Sequence, residues 1–470
     1  MRSRLSAVVA AVLLITVLVP SAYAGNGFAK STSTIDGYAT WDSDMIDIEN
    51  VSQTGRGVYV AVLDTGLAPD WKDYFPTERI ATQYGTGFDQ AVTFKARLDD
   101  PCVVDAEIAH GTVKQSTYVG SRGSTHGTHV ASTIIGYNYY SNTDAYSGYP
   151  LPPIQVRGIA PEATIIPVKV LSDYQIPALP KCADPTLQKQ GHVVFGTDEM
   201  VAAGINYVTS LAKGALKGSR IVINMSLGGS ELATAEKQAI DDAIAAGVVV
   251  VAAAGNEGAA GMSYPGAYAP VISAGSVGWT GEWVVPATGQ PPAGMTRYRM
   301  WWLQDKAALA LTPPLEADSG NVADPTIAGD VYVSDFSSRQ LAGQQLDVLA
   351  PGSWVRGPFA GDPGYDHLPW WSNGLGNLKG RNTGNFYYVG GTSMATPHVA
   401  SVAALMLQTD PSLTSAQVES TLKSTALAIP AGSASIYDIS PAAGFYTYSW
   451  GTDAVGSGLI QADAAIAAVP

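Results

Sequence analysis

Four short, almost wholly apolar runs constrain this chain more than anything else in it. They are Val58–Leu63, Ala163–Val170, Ile221–Met225 and Val248–Ala253. A strand with one wet face alternates polar and apolar residues; a strand that does not is buried on both faces, as in a parallel sheet covered by helices. Helical patterns lie between and after the runs, at Gly127–Ile135, Asp198–Lys213, Ala233–Ala246, Thr396–Thr409 and Ser415–Leu422, with Ser415 as the expected N-cap of the last. This alternation predicts an α/β fold in three layers, a mostly parallel sheet with helices on both faces.

Composition narrows the function classes. The 470 residues are 46% hydrophobic, enough for a full core and too many for a disordered chain. Two cysteines cannot build a disulfide-dense scaffold or a four-cysteine zinc site. A net charge of −14 argues against nonspecific nucleic-acid binding, which needs a basic surface.

Residues 1–24 read as an export signal. Arg2 and Arg4 precede the apolar stretch Leu5–Val19, and Ala22-Tyr23-Ala24 is a cleavage pattern, with the cut before Gly25. An uncleaved anchor is the competing reading. Export would place the mature protein outside the cytoplasm, where Cys102 and Cys182 can pair. The bond would close a loop of about 80 residues, worth roughly 4 kcal/mol in the chain-entropy model; two unpaired thiols are the alternative. Residues 25–55 are polar and read as an N-terminal arm or short pro-segment. Residues 56–470 read as one domain with surface insertions near 137–153, 172–190 and 279–330. Tryptophans 279, 283, 301 and 302 fall in or at the edge of the last insertion, where they would staple the loop to the body or grip a substrate.

Open α/β sheets bind ligands at the carboxyl ends of their strands. Four residues at such places carry chemistry. Asp64 ends the first run and can orient an imidazole; a turn cap is its blander role. His126, in Ser124-Thr-His-Gly-Thr-His129, can shuttle a proton near neutral pH. A metal pair with His129 lacks a nearby third ligand, and His110 repeats the His-Gly-Thr tripeptide with no helical pattern after it. Asn256, in Ala254-Gly-Asn-Glu-Gly258, can donate an amide hydrogen to an oxyanion, or simply fill a turn. Ser393 lies in Gly390-Gly-Thr-Ser-Met-Ala-Thr-Pro-His-Val-Ala400, at the start of a small-residue helix whose free N–H groups favour negative charge. A helix cap is the alternative.

The order Asp, His, Ser is one of three unrelated orders known for this triad. With the Asp64-Thr-Gly66, His126-Gly-Thr-His-Val-Ala131 and Gly391–Ala400 blocks, the chain resembles the subtilisin-like serine peptidases, from about Gly57 to the end. The resemblance implies a subtilisin-like fold and a serine endopeptidase in which Ser393 attacks, His126 is the base and Asp64 orients it. Asn256 and the Ser393 amide would hold the oxyanion. Ser226, Leu227 and Gly228 would pair with the substrate as an added strand. Ser263, small and uncharged, would sit at the base of the primary pocket, implying preference for large apolar residues. The chemistry requires no cofactor; a structural calcium ion at Asp73 is compatible with the resemblance. Polypeptides are the expected substrates, with no nucleic-acid partner, no membrane association once the signal is removed, and a monomer as the working form. Only about 40 residues separate Ala24 from Asp64, too few for the folded pro-domain such peptidases usually carry. A catalytically silent subtilase fold used for binding is the competing function.

Overall fold

A computed structural model describes residues 33–96, 102, 104–108, 112–121, 125–139, 154–182, 191–284, 298–299, 322, 325–359, 386–438 and 444–470. The export signal, His110, Trp301, Trp302 and the greater part of the 137–153 and 279–330 insertions lie outside these residues.

The centre is a nine-stranded sheet. Its strands are β1 (Val58–Asp64), β2 (Thr86–Asp89), β3 (Lys114–Ser116), β4 (Thr164–Lys169), β5 (Arg220–Met225), β6 (Val249–Ala253), β7 (Ile272–Trp279), β8 (Val331–Val333) and β9 (Val348–Pro351). They run in the order β8-β7-β6-β5-β1-β4-β2-β3, with β9 also paired to β7. Pairing is parallel except at the two ends, β7–β8 and β2–β3. All four predicted runs are central strands.

The double burial inferred from their composition is visible residue by residue. Val58, Val60 and Val62 of β1 face one apolar cluster, while Ala61 and Leu63 face another. Helices α2 (His126–Ile135) and α5 (Thr392–Thr409) cover the first face; α3 (Asp198–Lys213) and α4 (Thr234–Ala245) cover the second. Three layers result, as predicted. A further helix, α6 (Ser415–Thr425), follows α5, and α7 (Ala462–Ala467) ends the chain.

Helices α2 and α4 begin within one residue of expectation, whereas the cap of α6 and the start of α5 differ for a physical reason. The N-cap of α6 is Thr414, not Ser415: its hydroxyl accepts from the Gln417 N–H, and the Gln417 side chain accepts from the Thr414 N–H. Helix α5 begins at Thr392, four residues before the predicted Thr396, so Pro397 falls in its second turn. Proline has no N–H to offer the Ser393 carbonyl one turn back. The Ser226 hydroxyl supplies the missing donor at 2.7 Å, which lets the helix extend back through the serine.

The polar segment before β1 is packed rather than loose. A short helix, α1 (Trp41–Asp44), leads into Met45 and Ile46, both fully buried in the first cluster. Export pairing of the cysteines is matched by a Cys102–Cys182 disulfide. It links the turn of the hairpin Val92–Ala96/Val104–Ile108 to the loop after Ile176, within the 172–190 insertion. That insertion opens with a strand, Ser172–Ile176, which pairs with Gly191–Phe195. Phe94, Ile176 and Val193 of the two hairpins share a small apolar cluster. In the third insertion Trp279 is buried at the end of β7, and Trp283 is buried edge-on against Tyr437 at 5.2 Å between ring centres. These two tryptophans fasten the insertion to the body.

Candidate active site

The parallel strands end on one edge of the sheet, and the sequence changes character there. Asp64 closes β1 with its carboxylate fully buried. One oxygen accepts from the Thr65 N–H at 2.7 Å. Both face His126 Nδ1, at 2.9 and 3.0 Å. The carboxylate accepts, so Nδ1 carries the hydrogen and Nε2 is left to act as base.

His126 opens α2, and the close approach of that helix to β1 depends on Gly127. A Cβ there would lie 2.5 Å from the Gly66 carbonyl oxygen and 3.1 Å from Asp64 Cβ. The Gly127 N–H donates to the Thr65 hydroxyl at 2.9 Å, and the Ala68 N–H donates to the Thr128 hydroxyl at 2.7 Å, fixing the helix start against the strand end. Burial pulls the His126 pKa down, but the charge of Asp64 and its hydrogen bond outweigh that and hold it above the ordinary 6.5. The ring keeps 21% of its side-chain surface exposed, so one edge can reach a substrate. His129, one turn on, is fully buried, with Nε2 3.0 Å from the Val355 carbonyl. It is a core residue, not half of a metal pair.

Ser393 is the second residue of α5. Its hydroxyl donates to the Ser226 carbonyl at 3.2 Å, and among the described residues it makes no hydrogen bond to His126. Helices α2 and α5 pack directly against each other. Asn256 follows β6. Its side-chain oxygen accepts from the Thr392 N–H at 2.9 Å and the Thr392 hydroxyl at 3.0 Å. Those two donors settle which way the amide points and leave the NH₂ free to face outward. A Cβ on Gly391 would lie 3.6 Å from both that nitrogen and the Ser393 backbone nitrogen. Two N–H donors therefore border one small space beside the serine.

Ser226 is buried after β5, its hydroxyl held by Asn224 at 3.0 Å, while Leu227 is half-buried and Gly228 exposed. Gly229 and Tyr264 exchange a pair of backbone hydrogen bonds at 2.7 and 2.8 Å, tying the segment to the Ser263 loop. Ser263 backs Gly228 so closely that a Cβ on the glycine would lie 2.7 Å from it.

Sequence reasoning overlooked Glu257. Its Oε2 accepts from the hydroxyls of Ser263 and Ser338, each at 2.9 Å. A Cβ on Gly255, whose φ is +106°, would lie 2.2 Å from that oxygen. Adjacency to Asn256 was the available signal. Asp73 ends the short turn Trp71–Asp73. Among the described residues no three His, Cys, Asp or Glu side chains gather where they could hold a metal; a calcium ion at Asp73 would need backbone or amide carbonyls as its further ligands.

A buried carboxylate, an imidazole on its Nδ1 side, a serine at a helix start and a pair of convergent N–H donors define a site suited to acyl transfer on an α/β frame. The chain belongs to the subtilase family, whose model matches residues 55–458. It is 30% identical to Subtilisin from Bacillus pumilus over 65% of this chain and 70% of that protein. It is likewise 30% identical to Subtilisin E from Bacillus subtilis (strain 168), over 65% of this chain and 51% of that protein, so it spans about half the length of that curated relative. The solved structure of Sphericase shares the fold, with a TM-score of 0.50 and 21% identity over 91% of this chain and 99% of that one.

Proposed function

We propose that this protein is a secreted serine endopeptidase that hydrolyses peptide bonds through an acyl-enzyme. Ser393 turns from the Ser226 carbonyl to Nε2 of His126, gives up its proton and attacks the scissile carbonyl. The Ser393–carbonyl bond forms while the carbonyl π bond breaks toward oxygen. The Asn256 NH₂ and the Ser393 N–H stabilise the resulting oxyanion. His126 returns the proton to the leaving amine as the C–N bond breaks, and Asp64 stabilises the imidazolium in between. Water repeats the sequence to release the acid.

The observation that carries this reading is the buried Asp64–His126 pair, with Nδ1 held at 2.9 Å. The pair leaves Nε2 basic, on a ring that keeps 21% of its side-chain surface exposed. Substrate would lie along Ser226, Leu227 and Gly228 as an added strand. The pocket that Ser263 would line is expected to take large apolar P1 residues, because Ser263 is small and uncharged. A structural calcium ion at Asp73 would form no part of the chemistry; a chelator lowers the melting temperature if such an ion is bound and leaves it unchanged if none is. Sedimentation is expected to give a monomer. Export is tested by the N-terminus of secreted material, expected at Gly25 or beyond.

Casein hydrolysis by the wild type and Ser393→Ala decides between a peptidase and a silent binding fold. The peptidase reading expects the substitution to abolish hydrolysis. Equal slow rates for the two would leave the binding fold.

A further inference from the structure

We propose that Asp42 and His398 form a positioning pair that holds the serine-bearing turn of α5, making residues 40–51 a permanent part of the working peptidase. The inference rests on the reading of Ser393 as nucleophile.

His398 lies five residues past Ser393, in the same motif, yet has no part in the reaction scheme. Its side chain is fully buried. Nδ1 sits 2.8 Å from the Met394 carbonyl oxygen, and Nε2 sits 3.1 Å from Asp42 Oδ2. A carbonyl only accepts, so Nδ1 carries hydrogen. One proton then ties Nε2 to Oδ2, whichever partner holds it. Asp42 is itself buried, 7% exposed, and removing one member of such a pair strands the other in a medium that cannot solvate it. Met394 directly follows Ser393. Two hydrogen bonds therefore connect the segment before β1 to the turn that carries the nucleophile. Unlike His126, His398 has no exposed edge, so it acts on the position of the serine and not on substrate.

The segment bearing Asp42 is fixed on several sides. Trp41, Met45 and Ile46 are buried in the first cluster. The Ile46 carbonyl accepts from the Ala462 N–H at 2.7 Å, and the Met45 carbonyl accepts from Gln461 Nε2 at 3.3 Å. Upstream, Tyr38 accepts from the Arg157 N–H at 2.9 Å. Removing this segment during maturation would take Trp41, Met45 and Ile46 out of the first cluster and deprive His398 of its carboxylate. Any maturation cut that yields an active enzyme therefore falls before Thr40.

The test uses the full chain with Asp42→Asn, His398→Gln and the double variant. It follows the acylation burst with a chromogenic ester, KM and the melting temperature. Each single variant should lose about tenfold in burst rate at unchanged KM, and the double variant should lose no more, because the two residues act as a unit. A burst within twofold of wild type in folded Asp42→Asn, or losses that multiply in the double variant, overturns the pair. Should the variants fail to fold, N-terminal sequencing of active wild-type enzyme still decides: a start at or before Thr40 supports the inference, and a later start overturns it. Ester hydrolysis that survives unchanged in Ser393→Ala refutes the reading of Ser393, an outcome distinct from an intact burst in Asp42→Asn.

Discussion

At the residue scale, the site is a set of hydrogen bonds whose donors and acceptors can each be assigned. His126 must be neutral to accept the serine proton, and Asp64 holds its pKa above 6.5. As pH falls through that value, kcat/KM should drop about tenfold per unit. A pH–rate profile whose acid limb turns below pH 6.5 would contradict the pairing. Asn256→Ala removes one oxyanion donor and should lower kcat by about 10²–10³ with little change in KM. Steady-state kinetics on a peptide substrate check this, and an equal rise in KM at constant kcat would show a binding role instead. These residues were legible because each sits at the end of an apolar run or the start of a helix, where the chain's period visibly changes. Glu257 and His398 were not. Both lie within quoted motifs, but their partners, Ser338 and Asp42, are far away in sequence and meet them only through the fold.

At the element scale, α5 is the instructive case. The sequence pattern predicts a helix over Thr396–Thr409, and local reasoning could not see the Ser226 hydroxyl that replaces the N–H Pro397 lacks. Ser226→Ala should strand the Ser393 carbonyl and cost about 1–3 kcal/mol. Adding Pro397→Ala restores a backbone donor and should recover part of that loss. Denaturant unfolding of the two variants checks this, and a double variant less stable than Ser226→Ala would contradict it. Helix α4 carries a second prediction. Burial and the charge of Asp198 push Glu236, near its start, up to about 8. The unfolded chain releases that proton near pH 4.5, whereas the folded chain keeps it to about pH 8. Stability should therefore fall as pH rises across that window. Glu236→Gln should flatten the fall in melting temperature between pH 5 and 8; an identical slope in both proteins would refute it.

At the scale of the whole molecule, the sheet and its two helical layers were readable from double-buried runs alone. The packing of residues 40–51 was not, because Trp41, Met45 and Ile46 are scattered among polar neighbours with no sustained period. The disulfide joins two peripheral hairpins whose shared apolar cluster is small. Cys102→Ala should lower the melting temperature by several degrees through the lost constraint on a loop of 80 residues. An unchanged melting curve would mean that the central sheet melts without regard to the hairpins.

The central claim is that Ser393 becomes acylated during turnover. Acid-quenching the wild type with an ester substrate and locating the adduct by peptide mass spectrometry tests it directly. The expected result is an acyl group on Ser393 and none on the Ser393→Ala variant. An adduct on another residue, or brisk hydrolysis with no adduct, would contradict it.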